Sequence, residues 1–175
     1  MARTITSEEF EALYRAVAPE LFGYIRRRGS ADAEDLVAEV FTTAWRRRSE
    51  LPAAMLRRAW LFGTARRLLL AAGRRAQHDQ EAVVHLATHP TEQATEDEAA
   101  EQVVVAALAR LSPDDRELIQ LVEWDRLTPA EIAVARGIRP GTARVRLHRA
   151  RQALASDPQM QALVRRSSAS RPALA

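Results

Sequence analysis

The chain has 175 residues and a formal net charge of +3, from 26 basic and 23 acidic side chains; every basic residue is Arg. There is no Cys, which excludes a disulfide scaffold, a thiolate metal site and a cysteine nucleophile. Alanine fills 34 positions and aromatics only 9, a composition that favours helix. No apolar run reaches the roughly 18–20 residues that cross a bilayer, and MARTITSEEF has no apolar signal region, so a reduced cytoplasmic protein without membrane insertion is expected.

The first helix opens at Thr6, which with Glu9 has capping-box spacing. Phe10, Leu13, Tyr14, Val17, Leu21 and Ile25 then recur at three- and four-residue intervals, and Pro19 predicts a kink or break. Gly29 and Ser30 read as a stop and a new cap. Ala33, Leu36, Val37, Val40, Phe41, Ala44 and Trp45 form a second stripe. After a loop near 49–52, a third helix carries Leu56, Trp60, Leu61, Ala65, Leu68, Leu69 and Ala72. Three such stripes close one small domain, residues 1–75.

Residues 76–101 hold seven acids and no Arg. Periodicity is lost over 76–96, so the segment is expected to be a flexible acidic linker, with a short helical piece near Ala82–Ala87. His85 and His89 are four apart with His78 nearby, but no third ligand is evident and no metal or cofactor is expected.

A second domain, residues 102–155, begins with the stripe Val103, Val104, Ala107, Leu108 and Leu111. Ser112-Pro113 supplies a cap with proline at the first helical position, and Thr128-Pro129-Ala130-Glu131 repeats the device as a capping box. The short helix opened by Thr128 ends at Gly137, and Pro140 opens a longer one reaching about Ala155. This is helix-turn-helix order. A 100° step from Leu147 places Ala143, Ala150 and Leu154 inward. Thr142, Val145, Arg149 and Gln152 then face outward, with Arg146 and His148 on the flanks and Arg144 and Arg151 nearer the buried edge. A small apolar inner face and an Arg-rich outer face suit a major groove. The tail 156–175 is expected to be disordered.

The charge follows the same division. Residues 1–75 carry 14 Arg against 9 acids, and residues 127–155 carry 6 Arg against 1. Two basic blocks flanking an acidic stretch suit two modules gripping one polyanion, although an Arg-rich solvated surface gives the same balance.

At AEDLVAEVFTTAW (33–45), WLFGTARRLLL (60–70), ALARLSPDDRELIQL (107–121), AEIA (130–133) and GTARVRLHRAR (141–151) the chain resembles the bacterial extracytoplasmic-function (ECF) sigma factors of the sigma-70 superfamily. The resemblance spans most of residues 8–155. It implies an all-α protein of two small helical domains, the second ending in the helix-turn-helix. The implied function is promoter recognition and melting as a dissociable, non-enzymatic subunit of RNA polymerase.

Asp35, Leu36, Glu39, Val40 and Phe41 match the core-binding segment, which docks on the β′ clamp helices; the β subunit is a further contact. The loop at 48–56 and the helix after it match the part that opens the −10 element. There Arg57, Arg58, Arg66, Arg67, Arg74 and Arg75 would hold strand phosphates, with Trp60 a stacking candidate whose spacing favours core packing. Arg139, Thr142, Arg144, Val145, Arg146, His148, Arg149 and Arg151 would read the −35 duplex. An anti-sigma factor is an expected partner.

Departures from the family pattern are Ala38 and Arg67, where Gln and Asn are common, Arg139 in place of a capping Ser, and Ala143-Arg144-Val145 on the recognition helix. Val145 can touch a thymine methyl but cannot hydrogen-bond a base. The alternative function is a helix-turn-helix repressor or activator acting without polymerase, which would bind a palindrome. A small enzyme would need a pocket of convergent ionisable groups, which the sequence does not advertise.

Overall fold

A computed structural model of the chain describes residues 4–30, 32–80 and 96–169. Among them every regular element is a helix: α1 (Ser7–Arg26), α2 (Ala33–Arg46), α3 (Ala54–Gln80), α4 (Glu96–Arg110), α5 (Pro113–Glu123), α6 (Pro129–Arg136), α7 (Pro140–Ala155) and α8 (Pro158–Ala169). The helical piece expected near Ala82–Ala87, and the His85/His89 pair, lie outside the described residues.

The local caps form as their chemistry dictates. Thr6 and Glu9 exchange side-chain and backbone bonds at the start of α1, and Thr128 and Glu131 do the same at α6. The Ser112 hydroxyl accepts the Asp115 N–H. Gly137 ends α6 at φ 64°, a left-handed conformation glycine adopts without a Cβ penalty. That turn sets the angle between α6 and α7.

Four expectations are corrected. Pro19 does not break α1; it faces solvent inside a continuous helix whose other side buries Val17, Leu21, Tyr24 and Ile25. Burying that face outweighs the one hydrogen bond a proline forfeits. Ser30 does not cap α2: the N-cap is Asp32, whose side chain makes no capping bond. α3 does not stop near residue 75 but runs to Gln80. The tail is not wholly irregular, because α8 packs on α4 and α7. Asp157 starts it, accepting the N–H groups of Gln159 (2.9 Å) and Met160 (3.1 Å), with Pro158 at the first position.

The helices form two modules. α1, α2 and α3 close around Leu21, Tyr24, Ile25, Val40, Leu61 and Phe62, with the Tyr24 and Phe62 rings edge to face at 5.1 Å. Phe41 meets Phe10 and Tyr14 edge to face on one flank of the same bundle. α5, α6 and α7 close around Leu118, Leu121, Ile132, Ala143, Leu147 and Ala150. The modules pack on each other through α3 and α6, and their buried residues form one continuous cluster. At Gly63 an added Cβ would stand 2.8 Å from the Ala135 carbonyl oxygen. Only glycine lets the two backbones come this close.

Candidate nucleic-acid interface

The helix-turn-helix is built as its sequence pattern requires. Ala143, Leu147 and Ala150 are buried and Leu154 is half-buried, so α7 is anchored by small and medium apolar side chains. Thr142, Arg144, Val145, His148, Arg149 and Arg151 are exposed, as is Arg139 at the N-cap, which makes no side-chain capping bond. Val145 is 51% exposed, an apolar side chain set among cations.

The outer arginines differ in their partners. Arg139 and Arg149 have no acidic partner within ion-pair distance among the described residues. Arg151 pairs with Glu123 (2.8 Å) and Arg146 with Asp114 (3.2 Å). Asp114 also takes Arg136 at 2.6 Å. The Arg136 hydrogen bond, followed by its charge and that of Arg146, holds the Asp114 carboxyl below the usual carboxylate range. Arg146 is therefore tethered at the rim of α7, a placement its position on the wheel alone does not reveal.

The arginines of α3 are arranged otherwise. Arg58 donates through Nε to Glu20 (2.7 Å), through Nη1 to Glu131 (3.2 Å) and through Nη2 to the Asp125 carbonyl (2.6 Å). Arg66 donates through Nε to both oxygens of Glu117 at 3.0 Å. Arg57 is half-buried, 4.0 Å from Glu9. Arg67 is exposed, with a 2.8 Å bond to the Thr64 hydroxyl, and Arg74 is exposed. Arg75 lies in α3, its side chain outside the described set. Trp60 is half-buried and packs against the core, which makes it a packing residue rather than an open stacking platform.

Sequence reasoning missed the hub between the modules. The Asp125 side chain is 1% exposed and pairs with Arg27, with Arg28 Nη1 4.0 Å away. Burial pushes its carboxyl above the usual range against the pull of Arg27 and Arg28. Arg28 in turn lies 3.6 Å over the Tyr24 ring. Nothing local signals this pairing, because Arg27 and Asp125 are 98 positions apart.

Of the five core-binding candidates on α2, Asp35 and Glu39 are exposed and Leu36 is half-buried, whereas Val40 and Phe41 are buried. The last two hold the first module together and present no surface to a partner. An open groove of about 480 Å³ lies between α1 and α2, lined by Tyr14, Arg15, Ala18, Pro19, Phe22, Glu34 and Val37 and by none of Asp35, Leu36 and Glu39. Tyr14 and Phe22 are 47% and 38% exposed, although the helical stripe places Tyr14 inward. Among the described residues no group of three or more His, Asp or Glu side chains is placed to hold a metal ion.

An all-helical protein with a docked three-helix module and a helix-turn-helix of exposed arginines is a two-module DNA-binding protein. The model of sigma-70 region 2 matches residues 13–78, and that of sigma-70 region 4 matches residues 101–154. The ECF RNA polymerase sigma factor SigL of Mycobacterium tuberculosis is 36% identical over 150 residues, 82% of this chain and 85% of that protein. The RNA polymerase sigma factor CarQ of Myxococcus xanthus is 32% identical over 147 residues, covering 81% and 84%. The sigma factor RpoE of Bartonella quintana, solved with the anti-sigma factor NepR, superposes with a TM-score of 0.60 at 25% identity over 90% of this chain and 98% of that one. CnrH, solved with the cytosolic domain of CnrY, shares the fold with a TM-score of 0.58 at 22% identity over 92% and 90%.

The chain belongs to the ECF sigma factors of the sigma-70 family, the RNA polymerase subunits that direct core polymerase to specific promoters and assist initiation. The repressor alternative is not favoured, since region 2 accounts for the first module.

Proposed function

We propose that the two modules divide promoter recognition between a duplex-reading helix and a strand-holding helix. α7 enters the major groove at the −35 element, with Thr142, Arg144, Val145 and Arg149 toward base edges and Arg139, Arg146, His148 and Arg151 toward phosphates. Arg57, Arg58, Arg66, Arg67, Arg74 and Arg75 of α3 hold the phosphates of the melted −10 strand. Asp35, Leu36 and Glu39 of α2 take the β′ clamp helices of core polymerase. The protein works in the cytoplasm, needs no cofactor and has no catalytic chemistry of its own; the polymerase supplies that.

One observation carries this reading: three inward-packed residues, Ala143, Leu147 and Ala150, anchor a helix whose opposite face is exposed and cationic. Because the relative RpoE is described with an anti-sigma factor, an anti-sigma factor is proposed as a regulator here as well.

The test is reconstitution of the protein with bacterial core polymerase, followed by transcription from a pool of upstream regions of the source genome. Specific starts sharing boxes near −35 and −10 are expected. Absence of both co-elution and initiation overturns the core-binding assignment, and polymerase-independent protection of a palindrome moves the reading to the repressor.

A further inference from the structure

We propose that Arg126 is a contact to the DNA backbone: presented on the loop that leads into the helix-turn-helix, its guanidinium takes a phosphate at the edge of the −35 duplex. This rests on the −35 reading above and adds a residue to it. Arg126 has φ 55°, a left-handed conformation. The other two positive-φ positions among the described residues are Gly29 and Gly137. Side chains other than those of Asn, Asp and His rarely stand there, because the Cβ crowds the neighbouring carbonyl. Glycine would make the same turn at the least cost. An arginine held at a strained backbone position points to a use for its side chain.

The loop decides where that side chain goes. Asp125 and Leu127, on either side, are 6% and 2% exposed, and the Leu127 N–H returns to the Leu121 carbonyl at 2.9 Å. With both neighbours drawn inward, Arg126 is turned outward and exposed. The inner side of the loop is taken by Arg27 and Arg58 of the first module, on the Asp125 carboxylate and carbonyl. Arg126 itself has no acidic partner within ion-pair distance among the described residues. Glu123, three residues earlier, holds Arg151 of α7 at 2.8 Å, and Thr128, two residues later, caps α6. Residue 126 therefore sits where the first helix of the motif begins, beside the C-terminal half of the second. In this motif the first helix crosses the sugar-phosphate backbone while the second lies in the groove. A guanidinium at that corner meets a phosphate rather than a base edge.

The experiment uses polymerase holoenzyme carrying the full chain, with a promoter duplex obtained from the reconstitution. Arg126→Gly removes the side chain and the strain together. It should raise the unfolding midpoint of the free chain by about 2–4 °C. The holoenzyme should nevertheless bind promoter about five- to tenfold more weakly at 100 mM salt, and the slope of log affinity against log salt should fall by about 0.9, the value for one phosphate. The loss should be equal on duplexes with altered −35 bases. Ethylation of one phosphate at the edge of the box should interfere with the wild type and not with the variant. Arg126→Lys, which keeps the charge, should restore most of the affinity and the slope without the gain in stability. Arg126→Asn tolerates the left-handed backbone without a charge, and it carries the comparison if glycine loosens the loop.

An unchanged salt slope in Arg126→Gly and Arg126→Asn overturns the proposal, whatever the stability does. So does a loss confined to one base position, which would make Arg126 a base reader, and so does failure to assemble with core polymerase, which would make it a polymerase contact. Arg149→Ala, measured in parallel, separates this inference from the reading beneath it. If Arg149→Ala weakens −35 binding and Arg126→Gly does not, the −35 reading stands without Arg126. If neither does, the −35 assignment itself fails.

Discussion

The two arginine-rich helices, α3 and α7, carry the same side chain into opposite environments. On α7 the inner face buries Ala143, Leu147 and Ala150, and among the described residues Arg149, like Arg139 at the N-cap, stands in solvent without an acidic partner. On α3 Ala59, Leu61, Phe62 and Ala65 are buried, and Arg58 and Arg66 lie along the contact with the second module, paired with Glu20, Glu117 and Glu131. A count of arginines treats both helices as basic. The structure distinguishes arginines whose charge is available, such as Arg149 on α7, from those already engaged by the protein's own acids, such as Arg58 and Arg66 on α3. For a polyanion ligand that difference decides which surface engages first.

The largest effect is expected from removing what anchors α7. Leu147 is 5% exposed and central to the second module. Leu147→Ala is expected to destabilise that module by about 2–5 kcal/mol, through lost transfer energy and the cavity left behind. Denaturant unfolding followed by circular dichroism measures it, and −35 binding should fall with the fold although no arginine has changed. A loss well under 1 kcal/mol would mean that α7 is not held by its inner face.

A gentler substitution separates free from engaged charge. Arg149→Ala is expected to weaken holoenzyme binding to its −35 duplex by about 10- to 100-fold, or roughly 1–3 kcal/mol for a lost guanine contact. Unfolding of the free protein should stay within about 0.5 kcal/mol of the wild type, as for a surface change. Arg66→Ala should behave in the reverse order in the free chain, lowering stability by about 1 kcal/mol or less while leaving its DNA affinity nearly unchanged, because Arg66 already binds Glu117. Equal effects of the two substitutions on duplex binding would erase the distinction between the helices.

What the sequence reveals about this molecule follows the range of each interaction. The capping boxes at Thr6 and Thr128, the Ser112 cap and the left-handed Gly137 are settled within four residues, and all are legible before folding. The inward stripe of α7 is equally local, because one buried neighbour imposes the helical period. The Arg27–Asp125 and Arg58–Glu131 pairs are not legible, since 98 and 73 intervening positions leave the choice among many acids to tertiary packing. Tyr14 shows the same limit from the other side: its spacing is that of a core residue, yet it lines an open groove. The family pattern marks Val40 and Phe41 as contact residues without distinguishing a side chain that touches a partner from one that holds the helix in place.

α8 lies between these cases, because its start is local and its packing is not. Asp157-Pro158 repeats the device of Ser112-Pro113, a capping side chain followed by proline, and Met160 and Leu163 then lie three apart. Its attachment is distant: Asp157 also pairs with Arg110 of α4. The backbone N–H of Met160, then the Arg110 guanidinium and the backbone N–H of Gln159, hold the Asp157 carboxyl below the usual carboxylate range. Its folded value is depressed, so its contribution is present above the ordinary Asp pKa of about 3.9 and is lost as pH falls through the folded value. Acidification below about pH 4 should therefore fray the start of α8, whereas at α6 it weakens only the Glu131 half of the capping box and leaves the non-titrating Thr128 hydroxyl on the Glu131 N–H. Asp157→Ala should produce the same fraying at neutral pH, and Asp157→Asn, which keeps a capping oxygen, should produce less. Amide hydrogen exchange over 159–164 is the measurement. Unchanged protection in Asp157→Ala would mean that packing on α4 alone holds the helix, and that the cap is a consequence of the fold rather than one of its causes.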